Sequence, residues 1–126
     1  MEGKILVVDD EMHLAKIIQF TLKHAGYDVY LAYDGREALE KVNEVRPELV
    51  ILDLMLPLVD GYKVCNTIKQ SEETSEIPVI ILTARDLSSL ELEEPILADR
   101  FMQKPFNTEK LIETIEDLLQ GDGRSK

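Results

Sequence analysis

Asp9 and Asp10 follow the aliphatic run Ile5-Leu6-Val7-Val8, and Asp53 follows a second one, Leu49-Val50-Ile51-Leu52. Two more polar residues end similar runs: Thr83 after Val79-Ile80-Ile81-Leu82, and Lys104 shortly after Phe101-Met102. A carboxylate in apolar company, as Asp53 is between Leu52 and Leu54-Met55-Leu56, is costly to leave idle. Three carboxylates brought together raise one another's pKa unless a cation neutralises them, and their hard oxygens suit Mg²⁺. Because Mg²⁺ keeps several waters, one or two carboxylates and a carbonyl suffice to hold it, which leaves an oxygen position for a phosphoryl group. Lys104 supplies a second positive charge. Such a set suits in-line phosphoryl transfer, in which positioning and neutralisation of the equatorial oxygens carry the catalysis. Asp53 would become an acyl phosphate.

Taken singly, each residue has a plainer reading. An Asp just past a strand, as Asp10 is, commonly caps the next helix or closes a turn. Thr83 alone is an ordinary strand end, and Lys104 alone a solvated charge. Their shared place at the ends of apolar runs is what points to one site.

The elements that must position them alternate along the chain. Strand-like runs cover 5–8, 29–33, 49–52, 79–82 and, more weakly, 101–102. The uninterrupted β-branched and aliphatic stretches are those of strands buried on both faces. Between them Ala15, Ile18 and Leu22 keep helical spacing, as do Leu111, Ile115, Leu118 and Leu119 near the end. Asp34 with Glu37, Asp60 and Asn107 stand as N-caps, and Gly26 as the stop of the first helix. Five such strand-helix units with short connections predict a doubly wound α/β fold, a parallel sheet with helices on both faces. In open sheets of this kind ligands bind beyond the carboxyl ends of the strands, where the winding reverses. The edge that carries Asp9, Asp10, Asp53, Thr83 and Lys104 is that edge.

The 126 residues and 44% hydrophobic content fit one domain, predicted over 1–120, with 121–126 as a flexible tail or linker stub. Asp and Glu outnumber Lys and Arg by 25 to 14, and the net charge of −11 repels nucleic-acid phosphates and anionic membranes. Apolar runs are far too short to span a bilayer, and the chain enters a strand at once without a signal peptide, so a cytoplasmic protein is expected. Cys65, the one cysteine, excludes an internal disulfide and a thiolate metal cluster, and reads as a core side chain.

These residues resemble the receiver domain of two-component response regulators, including the chemotaxis receivers. The resemblance runs over about 4–120 and rests on Val7-Val8-Asp9-Asp10-Glu11, Leu52-Asp53-Leu54-Met55-Leu56-Pro57, Asp60-Gly61, Thr83-Ala84 and Lys104-Pro105-Phe106. It implies a flavodoxin-like (βα)5 sheet in the order 2-1-3-4-5. It also implies a phosphoprotein that takes its phosphoryl group from a histidine kinase or histidine phosphotransfer protein onto Asp53 and then changes conformation. By this likeness Mg²⁺ would be held by Asp10 and Asp53 directly, by Asp9 through water, and by the Met55 backbone carbonyl. Thr83 would hydrogen-bond the phosphoryl group, Lys104 would pair with it, and Ala84 would leave access. A cis Lys104-Pro105 bond is implied, as is a switch aromatic at Phe101 that turns inward but lacks a tyrosine's hydroxyl. Such a domain promotes its own phosphorylation and slow dephosphorylation without being an enzyme in the usual sense, and Met55 and Arg85 would overhang the acyl phosphate.

The departures lie between Thr83 and Lys104, a stretch one residue shorter than the usual pattern. Pro95 interrupts the end of the predicted helix there, and Leu97 replaces an expected Gly-Ala turn. That is the face through which receivers usually signal, so they bear on the output partner. Leu14, Ile17 and Phe20 form a second apolar set on the first helix, read either as the phosphodonor's docking surface or as a broad core face. His13 and His24 are expected on the surface. A Mg²⁺-dependent aspartyl-phosphate phosphatase would place an Asp-x-Asp pair after the first strand, and a flavin module a Ser/Thr/Gly-rich loop. Neither is present, and a docking module that is never phosphorylated would not need the full site. Output is left to another protein, a relay or a further domain.

Overall fold

Residues 3–84 and 97–120 are described by a computed structural model. Five strands, β1 (Lys4–Val8), β2 (Asp28–Ala32), β3 (Leu49–Leu52), β4 (Val79–Thr83) and β5 (Arg100–Gln103), form one parallel sheet in the order β2-β1-β3-β4-β5. Four helices are described: α1 (Met12–His24), α2 (Gly35–Val45), α3 (Gly61–Gln70) and α4 (Thr108–Gln120). The helix predicted between β4 and β5, with Arg85 and Pro95, lies outside the described residues, and so does the tail 121–126.

Side-chain alternation along the strands builds two cores, one on each face of the sheet. Ile5, Val7, Leu49, Ile51, Ile80 and Leu82 point to the face covered by Ala15, Ile18 and Leu22 of α1 and by Leu111 and Ile115 of α4. Leu6, Val8, Val50, Leu52, Val79 and Ile81 point to the other, against α2 through Ala38 and Val42 and α3 through Val64, Cys65 and Ile68. Each fully buried aliphatic side chain contributes about 1.5–3 kcal/mol, which explains why the central strands read as unbroken apolar runs.

Local chemistry sets the helix starts. The Glu37 amide donates to Asp34 Oδ1 at 2.7 Å, the Lys63 amide to Asp60 Oδ1 at 2.9 Å and the Lys110 amide to Asn107 Oδ1 at 3.1 Å. α1 stops as expected, with Gly26 at φ 105° just past its end. One expectation shifts. The second strand ends at Ala32 rather than Tyr33, because the Tyr33 amide donates to Glu37 Oε1 at 2.9 Å and joins the cap of α2. α1 has Glu11 at its N-cap with no side-chain cap bond, so Asp10 is not spent on capping.

Register brings the polar residues to one edge. Val8 stands opposite Leu52, so β1 and β3 end side by side, and the Asp53 amide still donates to the Val8 carbonyl at 3.0 Å. β4 and β5 end together as well, with Thr83 opposite Gln103 and the Lys104 amide on the Thr83 carbonyl at 2.8 Å.

Candidate phosphoacceptor and metal site

Asp9, Asp53 and Thr83 are buried at the carboxyl edge of the sheet, whereas Asp10 is exposed at its mouth. One carboxylate oxygen from each of Asp9, Asp10 and Asp53 lies within 4.8 Å of the other two. The Lys104 ammonium donates to Asp9 Oδ2 at 2.8 Å and to Asp53 Oδ2 at 3.0 Å, and lies 3.5 Å from Glu11 Oε1. The remaining oxygens take backbone donors, Asp9 Oδ1 from the Glu11 amide at 2.9 Å and Asp53 Oδ1 from the Met55 amide at 3.0 Å. Each buried carboxylate is therefore fixed by one amide and one shared ammonium, which sets its orientation.

The electrostatics follow from burial and pairing. Loss of hydration raises the Asp9 pKa above its usual value, an effect that the Lys104 bond, the Glu11 amide and the Lys104 charge only partly offset, while the Asp53 charge adds to it. Burial by itself would lower the Lys104 pKa, but the hydrogen bonds and charges of Asp9 and Asp53 prevail and hold the ammonium well above its usual range. Lys104 is thus a fixed cation.

The donor set fits a hard divalent cation. Three carboxylates within a few ångströms carry one negative charge more than Lys104 and a bare monovalent partner could balance, and oxygen is their only donor type. Asp10 at the mouth offers access from solvent. Asp9, Asp10 and Asp53, with a carbonyl of the loop after β3, are the residues that could hold Mg²⁺.

Most residues singled out in the sequence meet here. Thr83 joins Lys104 through the backbone, Met55 bonds Asp53 through its amide while its side chain is exposed, and the Lys104-Pro105 peptide is cis. Phe101 does not meet them: it stands on β5 opposite Ile81, 43% exposed. Leu97, where a Gly-Ala turn was expected, donates its amide to Asn66 Oδ1 on α3 at 3.1 Å. Glu11 is a neighbour of Lys104 that sequence reasoning did not assign. It was visible only as part of the acidic triplet, since its approach depends on the Lys104 side chain reaching from the end of β5 back to the end of β1.

Beside Lys104 an open groove with a volume of about 550 Å³ is lined by Glu11, Leu14, Ile17, Ala84, Pro105 and Phe106. Ile17 and Phe20 are 59% and 70% exposed, so only Leu14 of that apolar set leans on the core. His13 and His24 are exposed, as expected. Cys65 is buried in the core, and burial raises its thiol pKa to about 11. Among the described residues no helix is long and apolar enough to cross a membrane.

Residues 5–116 match the family model described as response regulator receiver domain. Among solved structures, the chain is similar to the chemotaxis response regulator CheY4 of Vibrio cholerae, with 30% identity, 94% of this chain and 100% of that chain covered, and a TM-score of 0.85. A putative response regulator from Chloroflexus aurantiacus J-10-fl is 32% identical over 94% of this chain and 98% of its own, with a TM-score of 0.86. The signal receiver domain of a signal transduction histidine kinase from Syntrophus aciditrophicus is 33% identical over 98% and 95%, also with a TM-score of 0.86.

Proposed function

From the premise that this chain belongs to the response regulator receiver domains of two-component signalling, we propose that Asp53 is its phosphoacceptor and that the reaction depends on Mg²⁺. The observation that carries this reading is the buried Asp53 carboxylate, held at 3.0 Å by Lys104 and sharing its surroundings with Asp9 and Asp10.

Asp10, Asp53 and the Met55 carbonyl are the direct ligands in this reading, with Asp9 acting through water. When bound, Mg²⁺ neutralises charge on the phosphoryl oxygens. An Asp53 carboxylate oxygen bonds to phosphorus as the phosphorus-nitrogen bond of a phosphohistidine breaks, and the departing imidazole of the kinase or phosphotransfer protein takes up a proton. The Met55 amide orients the acceptor. Lys104, released from part of its pairing with Asp53, turns to the new phosphoryl group, and the Thr83 hydroxyl bonds it. Phe101 then has reason to leave the surface, and the conformational change passes to a downstream partner. Water attack returns Asp53 slowly to its free form.

The phosphodonor docks at the groove beside Lys104 and on Leu14, Ile17 and Phe20. Two features support this: Ile17 and Phe20 are exposed aliphatic and aromatic groups that do not join the core, and the groove opens within reach of the site. Phosphodonor kinases of this class present their phosphohistidine in the cytoplasm, where we place the protein.

Incubation with acetyl phosphate and Mg²⁺ tests the reading. The wild-type chain should gain one phosphoryl group by intact mass, and Asp53→Asn should gain none. Equal labelling of the variant overturns the assignment.

A further inference from the structure

The loop that follows β3, residues 53–60, carries both the acceptor and the carbonyl proposed as a metal ligand, and it is gripped from two sides. At one side Gly61 opens α3, its amide donating to the Leu54 carbonyl at 3.0 Å. At the other, Gly35 opens α2, its amide donating to the Pro57 carbonyl at 3.3 Å, while the Val59 amide closes a tight turn on the same carbonyl at 2.9 Å. Leu58 between them sits at φ 71°, in the left-handed region that a branched side chain occupies only when its surroundings dictate it.

The approach of α2 to this turn leaves no room for a side chain. A Cβ at position 35 would overlap the Val59 carbonyl oxygen and lie 2.6 Å from its carbon and 2.8 Å from the Val59 Cβ. One partner would have to move. α2 is the anchored one: Asp34 caps it, Glu37 ties it back to the Tyr33 amide, and Ala38 and Val42 are buried in the core. Between Met55 and Asp60 the loop has no fully buried side chain, only Leu56 and Val59 partly buried against the core, so the displacement falls mainly on it.

We infer that Gly35, far from the acceptor in sequence, is a positioning residue that sets the geometry of the metal ligands on the 53–60 loop. The inference rests on the reading of Asp53 and the Met55 carbonyl as ligands. Its chemical signature is selectivity between cations. Mg²⁺ demands near-ideal octahedral geometry at short distances, whereas Ca²⁺ accepts varied ligand numbers and longer bonds. Displacing the loop therefore harms Mg²⁺ binding more than Ca²⁺ binding. A general loss of stability in a chain that remains folded has no such preference.

Calorimetric titration of Mg²⁺ and Ca²⁺ into the wild-type chain, Gly35→Ala and Val42→Ala tests it. Val42→Ala weakens the same helix without touching the loop. Gly35→Ala should lose Mg²⁺ affinity by about tenfold or more, the range seen when a residue that orients a ligand is changed, with Ca²⁺ affinity falling by a clearly smaller factor. Val42→Ala should keep the wild-type ratio. Should Gly35→Ala fail to fold, Val59→Gly, which removes the loop side chain packed beside position 35 and so loosens the seat of the loop, should show a loss with the same preference for Mg²⁺. Unchanged Mg²⁺ to Ca²⁺ selectivity in the folded variant overturns the inference. Absence of Mg²⁺ binding by the wild-type chain would instead overturn the reading of the site itself.

Discussion

The Lys104 ammonium lies 3.0 Å from Asp53 Oδ2, joining residues 51 positions apart, and the same ammonium holds Asp9 at 2.8 Å. One cation is thus shared by the two carboxylates that the sheet edge buries, offsetting one of their two charges. Removing it leaves uncompensated charge in a poorly hydrated place.

Lys104→Met should accordingly destabilise the fold by up to about 3 kcal/mol in metal-free buffer, the lower end of what a broken buried pair costs, since a carboxylate can take up a proton instead. Added Mg²⁺ should restore much of the loss by supplying the missing charge. Urea unfolding with and without Mg²⁺ measures both effects. Equal destabilisation in the two conditions would mean that no cation binds between these carboxylates.

Asp10 is exposed and caps nothing, so Asp10→Asn should leave stability within about 0.5 kcal/mol of wild type. Mg²⁺ affinity should nonetheless fall by about tenfold or more, because the hard cation loses a charge. Titration calorimetry beside thermal unfolding separates the two, and an unaltered affinity excludes Asp10 as a ligand.

At position 61 an added Cβ would overlap the Asp53 carbonyl oxygen and lie 2.7 Å from the Leu54 Cα. Gly61→Ala should cost about 1–3 kcal/mol, as overpacking does. It should also slow acetyl phosphate labelling by moving the acceptor strand end. Chemical denaturation and labelling rates check the pair of outcomes.

Cys65 should behave as a core group. Burial raises its thiol pKa from 9.0 to about 11, so native protein at pH 8 should react with a thiol reagent far more slowly than unfolded protein. The folded pKa is raised, so the thiol's contribution to stability is complete below pH 9 and is lost as pH rises toward 11. Cys65→Ala should remove that alkaline component, which unfolding measured across the window will show.

Phe20→Ala removes an exposed ring that lies beside His24, at 5.6 Å between centroids. Stability and acetyl phosphate labelling should not change. Transfer from a phosphorylated histidine kinase that labels the wild-type chain should slow several-fold, and an unaffected rate would remove Phe20 from the docking surface.

Much of this protein was readable from the order of its residues. Unbroken aliphatic runs located the central strands because a strand buried on both faces needs apolar side chains in both directions. The spacing of Ala15, Ile18 and Leu22 located the core stripe of α1. Asp34, Asp60 and Asn107 announced their helices because a cap bond is made within three residues, and such short-range chemistry leaves its mark in the sequence. Polar residues ending apolar strands named the members of the candidate site.

Tertiary structure decided how those members meet. That Lys104 bridges Asp9 and Asp53, that Asp10 stands at the mouth, and that Glu11 approaches the same ammonium depend on the register of β1 against β3 and of β4 against β5. Whether Ile17 and Phe20 belonged to the core or the surface depended on how far α1 rolls onto the sheet, since helical spacing fits either. The closeness of Gly35 to Val59 joins two loops distant in the chain, and a glycine there looks like any other helix start. Short-range hydrogen bonding and burial write themselves into neighbouring residues; contacts made by strand register and helix docking are sums over the whole fold, and no local pattern carries them.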